Sequence, residues 1–390
     1  MSVLATVSGL GLAGCSGDRT TEAAPATPSP VKSSGSALTS NGYGHTPADY
    51  ERVGIKPNQV QVWEDGFRSA DINDNPDAYE WWYADFIGDD GTVVVFLLET
   101  RVNDGFLPEP GEAGRKPTAS LIVTEPDGTS HAVQQSYAWD QFSASTKSCD
   151  VKVGPFTLSG DLKTYQLQGE ANGTGLDLTL TSLVQPFRPG TGVMFLNDTD
   201  QFQGWLCAVP SGKATGTITV NGKQSSFTAA GYHDHNWGNR PYPFFAEHWR
   251  WGRGSAGKYA TVGYATYLRS DYGSAFIPAV VVDDTETGER VFSSFSPKNV
   301  TVKESAPKPP PNPAYSKDYY SSVRWDYSEG VGHPHGHQSA AGKPGPLRQR
   351  HPDTAGHPEE ARDRRRLVHP LRRQRRYRPQ PPRHPLLRHR

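Results

Sequence analysis

From residue 60 to residue 294 the chain breaks into short runs of β-branched and aromatic residues separated by turn signals. No stretch sustains the 3.6-residue apolar period of a long amphipathic helix. Residues 92–99 and 119–124 are apolar enough for strands buried on both faces, whereas 177–181 and 215–220 alternate as half-buried strands do. The segment 125–129 carries Pro-Asp-Gly, in which proline presets φ and glycine accepts φ > 0, and so reads as a turn. Asn221-Gly222 is a hairpin signal, and further strands are expected at 259–268, 275–283 and 291–294. Forty glycines and 33 prolines against two methionines agree with this reading. The expected fold class is all-β, built from antiparallel barrels or sandwiches.

The net charge of −1 averages two unlike pieces. Residues 331–390 hold fourteen arginines and one lysine against four acids, a net +11, which leaves −12 for the first 330 residues. All nine tryptophans fall between Trp63 and Trp325, and the tail's one tyrosine, Tyr377, stands among ten prolines and eight histidines. Such a stretch buries too little apolar surface to offset its ordering entropy, so disorder is expected. It reads either as a basic arm or as a slip of reading frame near Gly332 in a GC-rich gene. The slip is favoured because the change is abrupt and no Lys-rich or aromatic nucleic-acid pattern accompanies it. An acidic body argues against nucleic acid as the main partner.

The first residues form a short apolar run ending in Leu12-Ala13-Gly14-Cys15, which resembles a bacterial lipobox, although the basic segment usual before such a run is missing. Residues 16–48 are rich in Ser, Thr, Ala, Pro and Gly and suit a flexible tether. The expectation is therefore a signal-like segment (1–15), a linker (16–48), and lipidation at Cys15. That anchor would hold an extracytoplasmic lipoprotein to the membrane. The other two cysteines, Cys149 and Cys207, are either a disulfide or buried thiols.

Two clusters carry candidate chemistry. In Tyr79-Glu-Trp-Trp-Tyr-Ala-Asp-Phe86, strand alternation puts Glu80, Trp82, Ala84 and Phe86 on one face and Trp81, Tyr83 and Asp85 on the other. Aromatics on both faces imply that both are covered or that one lines a cavity. The second cluster is Gly231-Tyr-His-Asp-His-Asn-Trp-Gly238, followed by Glu247-His-Trp-Arg-Trp251. Titratable groups interleaved with tryptophan are costly to bury without purpose, though satisfied core histidines are the plainest account. A metal on His233 and His235, helped by Asp234 or His248, fits no standard zinc spacing. No Gly-x-Ser-x-Gly elbow occurs. Acid catalysis in an apolar pocket is the remaining reading.

Glu80-Trp-Trp-Tyr83 together with His233-Asp-His-Asn-Trp-Gly238 resembles the lipocalin-like hydroxyneurosporene synthase (carotenoid 1,2-hydratase) family, its AttH-type relatives and the related fungal Diels–Alderases. The resemblance covers roughly residues 60–330. It implies two lipocalin-like β domains, 49–238 and an incomplete 239–330, with a lipophilic pocket near their junction. It also implies protonation of an isoprenoid double bond and capture of the cation by water, with no metal and no cofactor. By that resemblance His235 and Trp237 line the site, and Tyr264 matches a tyrosine that hydratases follow, two positions on, with an acid. Here Tyr264-Ala265-Thr266 stands instead, and threonine cannot supply the proton, which leaves Asp234 as substitute.

The resulting expectation is a pocket for a small hydrophobic molecule (an isoprenoid, polyene or lipid), with Asp234, His235 and Tyr264 as the polar set. Trp237, Trp82, Tyr83, Trp249 and His248 would bind the substrate, and any reaction would be a metal-independent hydration or cyclisation. A non-catalytic lipid or pigment carrier and a carbohydrate-binding module are the alternatives.

Overall fold

The computed structural model describes residues 39–69, 75–101, 115–197, 200–308 and 319–327. Cys15 and the 331–390 tail lie outside the described residues.

The first sheet contains β1 (Gly42–Tyr43), β2 (Tyr79–Gly88), β3 (Val93–Glu99), β4 (Thr118–Thr124), β5 (Ser130–Ser136), β6 (Phe142–Ala144) and β7 (Cys149–Val153). It continues through β8 (Phe156–Gly160), β9 (Thr164–Ala171), β10 (Thr174–Ser182), β11 (Val193–Phe195), β12 (Phe202–Val220) and β13 (Lys223–Gly238). A second sheet holds β14 (Ala246–Ala256), β15 (Tyr259–Leu268), β16 (Phe276–Asp284) and β17 (Arg290–Ser294). Finally β18 (Val300–Lys308) pairs with β19 (Tyr319–Tyr327).

The long sheet is antiparallel throughout, in the order β5-β4-β3-β2-β13-β12-β10-β9-β8-β7-β6, and curls into a half-barrel of lipocalin-like, all-β character. Its closing step is non-local: β2 pairs with β13, His235 lying opposite Trp82 across about 150 residues of chain. The strands read from sequence are present, with boundaries shifted by up to three residues. An exception is β12, which begins at Phe202, well before the expected 215. The Asn221-Gly222 turn joins β12 to β13 as a two-residue loop, and both residues have φ > 0 (52° and 74°), as a type I′ hairpin requires.

The expected tether ends earlier than residue 48. Gly42–Tyr43 pairs with β11, and a helix follows, α1 (Pro47–Val53). It is started by a reciprocal cap between Thr46 and Asp49 and stopped at Gly54, whose φ is 75°. Those local hydrogen bonds outweigh a Ser- and Gly-rich composition that reads as linker.

Two apolar clusters sit on opposite faces of β2, β12 and β13. One fills the half-barrel with Trp82, Phe86, Phe96, Leu98, Phe156, Leu167 and Trp237, among others. The other lies between this wall and the second sheet, where Tyr79, Trp81, Trp205 and Tyr232 meet Val262, Tyr264, Ile277 and Val281. Cys149 belongs to the first and Cys207 to the second, and both are free. The disulfide alternative is thereby excluded by topology, since the wall separates the two thiols.

Gly204 on β12 is one place where a glycine is needed for close approach. A Cβ there would lie 2.1 Å from the Trp237 ring, so the indole lies flat on the backbone. Gly204→Ala is expected to cost about 1–3 kcal/mol by overpacking. Urea unfolding followed by tryptophan fluorescence will measure this as a lower midpoint.

Candidate active site

Along β13, side chains leave alternate faces. His233, His235 and Trp237 therefore enter the half-barrel, and Tyr232, Asp234 and Asn236 face the second sheet. On β2 the register sets Trp82 beside His235, Tyr83 beside Asp234 and Asp85 beside Tyr232. Two polar clusters thus form back to back on one wall.

Inside the half-barrel, His233 has Nδ1 2.9 Å from the Tyr83 carbonyl and Nε2 3.1 Å from Asp65 Oδ2. A carbonyl only accepts, so Nδ1 carries hydrogen. The Tyr165 hydroxyl donates to the same Asp65 oxygen at 2.5 Å. His235 Nε2 lies 2.7 Å from Glu80 Oε1, and Glu80 also accepts the backbone N–H groups of Arg68 and Ser69, each at 2.8 Å. The His235 ring stacks on Trp82 with centroids 4.7 Å apart, and Trp237 flanks it at 4.9 Å. Burial pushes the His233 imidazole down, but Asp65 and the two hydrogen bonds outweigh it and hold the ring above its ordinary 6.5.

Between the sheets, Asp234 Oδ2 accepts Trp205 Nε1–H at 3.0 Å and the Tyr232 hydroxyl at 2.8 Å, while Oδ1 accepts Asn236 Nδ2–H at 2.9 Å. Burial raises this carboxyl from 3.8 to about 6, although the Trp205 and Tyr232 hydrogen bonds pull the other way. Trp251 Nε1–H donates to Tyr232 at 3.2 Å. The Trp205 ring lies 5.0 Å from that of Tyr264, whose phenol takes Thr266 Oγ1–H at 2.9 Å and contacts the Tyr242 hydroxyl. Burial pushes Tyr264 up to about 12. Tyr83, Trp249 and Trp251 are only half-buried, so this layer grades into solvent along an aromatic edge. At its rim Arg253 Nε donates to Asp85 Oδ1 at 2.7 Å and ties the second sheet to the first.

The structure brings together Asp234, Tyr264, Tyr83 and Trp249 in the layer between the sheets. It does not bring His235, Trp82 and Trp237 to them, because they stand on the other face of the wall. The expected trio of Asp234, His235 and Tyr264 is split for that reason. His248 is likewise turned away: its ring stacks on Tyr267 at 4.2 Å, on the face of β14 opposite Trp249 and Trp251. Sequence reading missed Trp205, because β12 was legible only over its last six residues. It also missed Asp65 and Tyr165, which carry no local pattern. Tyr232, Asn236 and Trp251 lay within the quoted motifs, and their spacing of two from Asp234 and Trp249 was the available signal.

A lipocalin-like all-β chain with an acid in an aromatic layer is the class that fold and site define. Residues 135–331 match the family model described as Diels-Alderase-like, and the chain belongs to that family. The quinolone epoxide rearrangement protein penF of Penicillium thymicola is 30% identical over 96 residues, which cover a quarter of either chain. Its counterpart asqO of Emericella nidulans is 24% identical over 279 residues, covering 65% of this chain and 71% of that protein. A crystal structure of an AttH-type protein from Nitrosomonas europaea shares the fold, with TM-score 0.50 at 16% identity over 66% of this chain and 79% of the other.

With an ordinary value of 3.8 and a folded value of about 6, ionising Asp234 costs the folded state about 3 kcal/mol. Below pH 4 both states hold the proton and the penalty is absent. It builds as pH rises from 4 to 6, because the unfolded chain releases its proton first. Asp234→Asn is therefore expected to gain about 3 kcal/mol relative to wild type between pH 4 and pH 7, read from paired denaturant titrations at each pH. Trp205→Phe removes a hydrogen bond that favours the anion, and should push the Asp234 carboxyl above 6 in a carbon-13 titration.

Proposed function

We propose that the protein is an enzyme of small-molecule metabolism that performs an acid-assisted addition, cyclisation or rearrangement on a small hydrophobic substrate between the two sheets. The observation that carries this reading is Asp234. It is a buried carboxyl raised to about 6, held by three neutral donors and bordered by half-buried tyrosine and tryptophan. The fungal relatives, named for quinolone epoxide rearrangement, support a reaction of this kind.

Asp234 Oδ2 already accepts two hydrogen bonds, so Oδ1, which accepts one, is the oxygen free to carry the transferable proton. Delivery of that proton to an alkene carbon or an epoxide oxygen leaves a carboxylate that Trp205, Tyr232 and Asn236 stabilise without moving. The developing cation faces Tyr83, Trp249 and Trp251, and aromatic faces contribute about 2 kcal/mol each when desolvated. Attack by water or an internal nucleophile, or loss of a neighbouring proton, ends the reaction and returns one proton to Asp234. Tyr264, neutral at all ordinary pH values, serves as a hydrogen-bond donor to a substrate oxygen.

A quinolone epoxide and a terminal isoprenoid alkene serve as probe substrates, with products followed by chromatography and mass spectrometry. Asp234→Asn is expected to lower turnover about 100-fold or more, while affinity measured by tryptophan quenching changes little. Turnover that survives the substitution overturns the assignment. Binding of both probes with no turnover in wild type favours the carrier reading instead. We also propose that a lipid on Cys15 tethers the protein outside the cytoplasmic membrane, and labelled palmitate incorporation should be lost in Cys15→Ala.

A further inference from the structure

The cluster inside the half-barrel has no part in that reaction, and its geometry points to a separate function. We propose that Asp65, Cys149 and His233 form a binding site for a thiophilic divalent cation such as Zn²⁺, with His235 as the fourth donor.

The three side chains come from different parts of the fold. Asp65 ends the 3₁₀ turn Val62–Asp65, Cys149 opens β7 and His233 lies on β13. All three are buried, and one donor atom from each lies within 4.8 Å of the other two. That spread is a small contraction away from tetrahedral zinc, whose bonds run about 2.0–2.3 Å to N, O and S.

Each histidine is oriented through the nitrogen that a metal would not use. His233 gives its Nδ1–H to the Tyr83 carbonyl, which directs Nε2 at Asp65 and Cys149. His235 is fixed through Nε2 by Glu80, which directs Nδ1 at Asp65 Oδ1, 3.5 Å away. A histidine held by a carboxylate or a carbonyl through its second nitrogen is the usual support of a metal ligand. Among the buried polar atoms without a hydrogen-bond partner are Asp65 Oδ1 and His235 Nδ1, the two that face each other here. Such orphaned acceptors cost free energy in an apolar interior. Asp65 Oδ2 remains occupied by Tyr165, so that carboxylate is also oriented. The charge count fits as well. A thiolate and a carboxylate neutralise one divalent cation, which suits a site inside the buried apolar cluster that includes Leu158 and Trp82. The mixed sulfur, nitrogen and oxygen donor set suits Zn²⁺ rather than Mg²⁺ or Ca²⁺. His233-x-His235 alone matches no zinc spacing. The fold completes the set with residues 84 and 168 positions away from His233.

The test uses the full-length protein, stripped with a chelator and titrated with Co²⁺ alone, then with Zn²⁺ alone. Wild type is expected to saturate at one Co²⁺ per chain with a thiolate-to-cobalt charge-transfer band, which Zn²⁺ abolishes by displacement. One equivalent of Zn²⁺ should raise Tm by about 5 °C or more. The band should vanish in Cys149→Ser and weaken at least 10-fold in apparent affinity in His233→Gln. A cobalt spectrum without the thiolate band, together with an unchanged Tm, overturns the site in wild type without any variant, and is what binding by the tail histidines would give. A thiolate band that persists in Cys149→Ser places the metal on another cysteine and overturns it too.

Discussion

The described fold is organised around a wall of three strands, β2, β13 and β12, whose faces are both covered over Tyr79–Phe86, Gln203–Pro210 and Gly231–Gly238. A strand in that position has no solvent side on which to place a polar residue. From Gly231 to Gly238 eight consecutive residues are buried, and five of them, Tyr232 to Asn236, are polar or titratable. Burial on both faces forces each group to find a hydrogen bond within the protein. It also forces adjacent residues into different compartments. Asp234 and His235 are covalent neighbours, yet one belongs to the layer between the sheets and the other to the half-barrel.

The two faces solve the problem of buried charge differently. Inside the half-barrel, the carboxylates of Asp65 and Glu80 meet imidazoles, and His233 is held above its ordinary value. On the other face, Asp234 meets only the neutral N–H and O–H groups of Trp205, Tyr232 and Asn236. Neutral donors soften the desolvation penalty without cancelling it, so that carboxyl keeps its proton to about pH 6. Both groups on this strand hold their protons more tightly than usual, but the consequence differs: His233 is favoured as a cation paired with Asp65, and Asp234 as a neutral acid.

Much of this was legible in the sequence. The turn chemistry of Asn221-Gly222 sets the central hairpin, and the alternation of 79–86 correctly sorted Trp82 from Tyr83. What failed was the gathering of one site from a motif read as a string. A motif lists Asp234, His235 and Trp237 together, whereas the pleat separates them. His248 is separated from Trp249 in the same way, since it stands one position away and therefore on the other face of β14. Asp65, Tyr165 and Trp205 were beyond reach, because only the non-local closure of β2 on β13 and the curl of the sheet bring them to β13. The Cys149 and Cys207 question also needed the topology, since chain spacing cannot reveal a wall between two thiols.

The residue at position 266 bears on which sheet would supply a proton to the shared layer under the proposed function. Thr266 is fully buried, faces the same side as Tyr264, and spends its hydroxyl proton on that phenol. An acid there would belong to the second sheet and would sit among Tyr264 and Tyr242. With threonine in its place, two other carboxyls near the layer are held by arginines. Asp85 is paired with Arg253 and Asp283 with Arg290. Asp234 alone among these three has no cationic partner in its hydrogen-bond shell. A proton donor on the first sheet approaches the guest from the side opposite the one a donor at 266 would use. Under the function proposed above, the substrate face that receives the proton would therefore differ between an acid on β13 and one on β15.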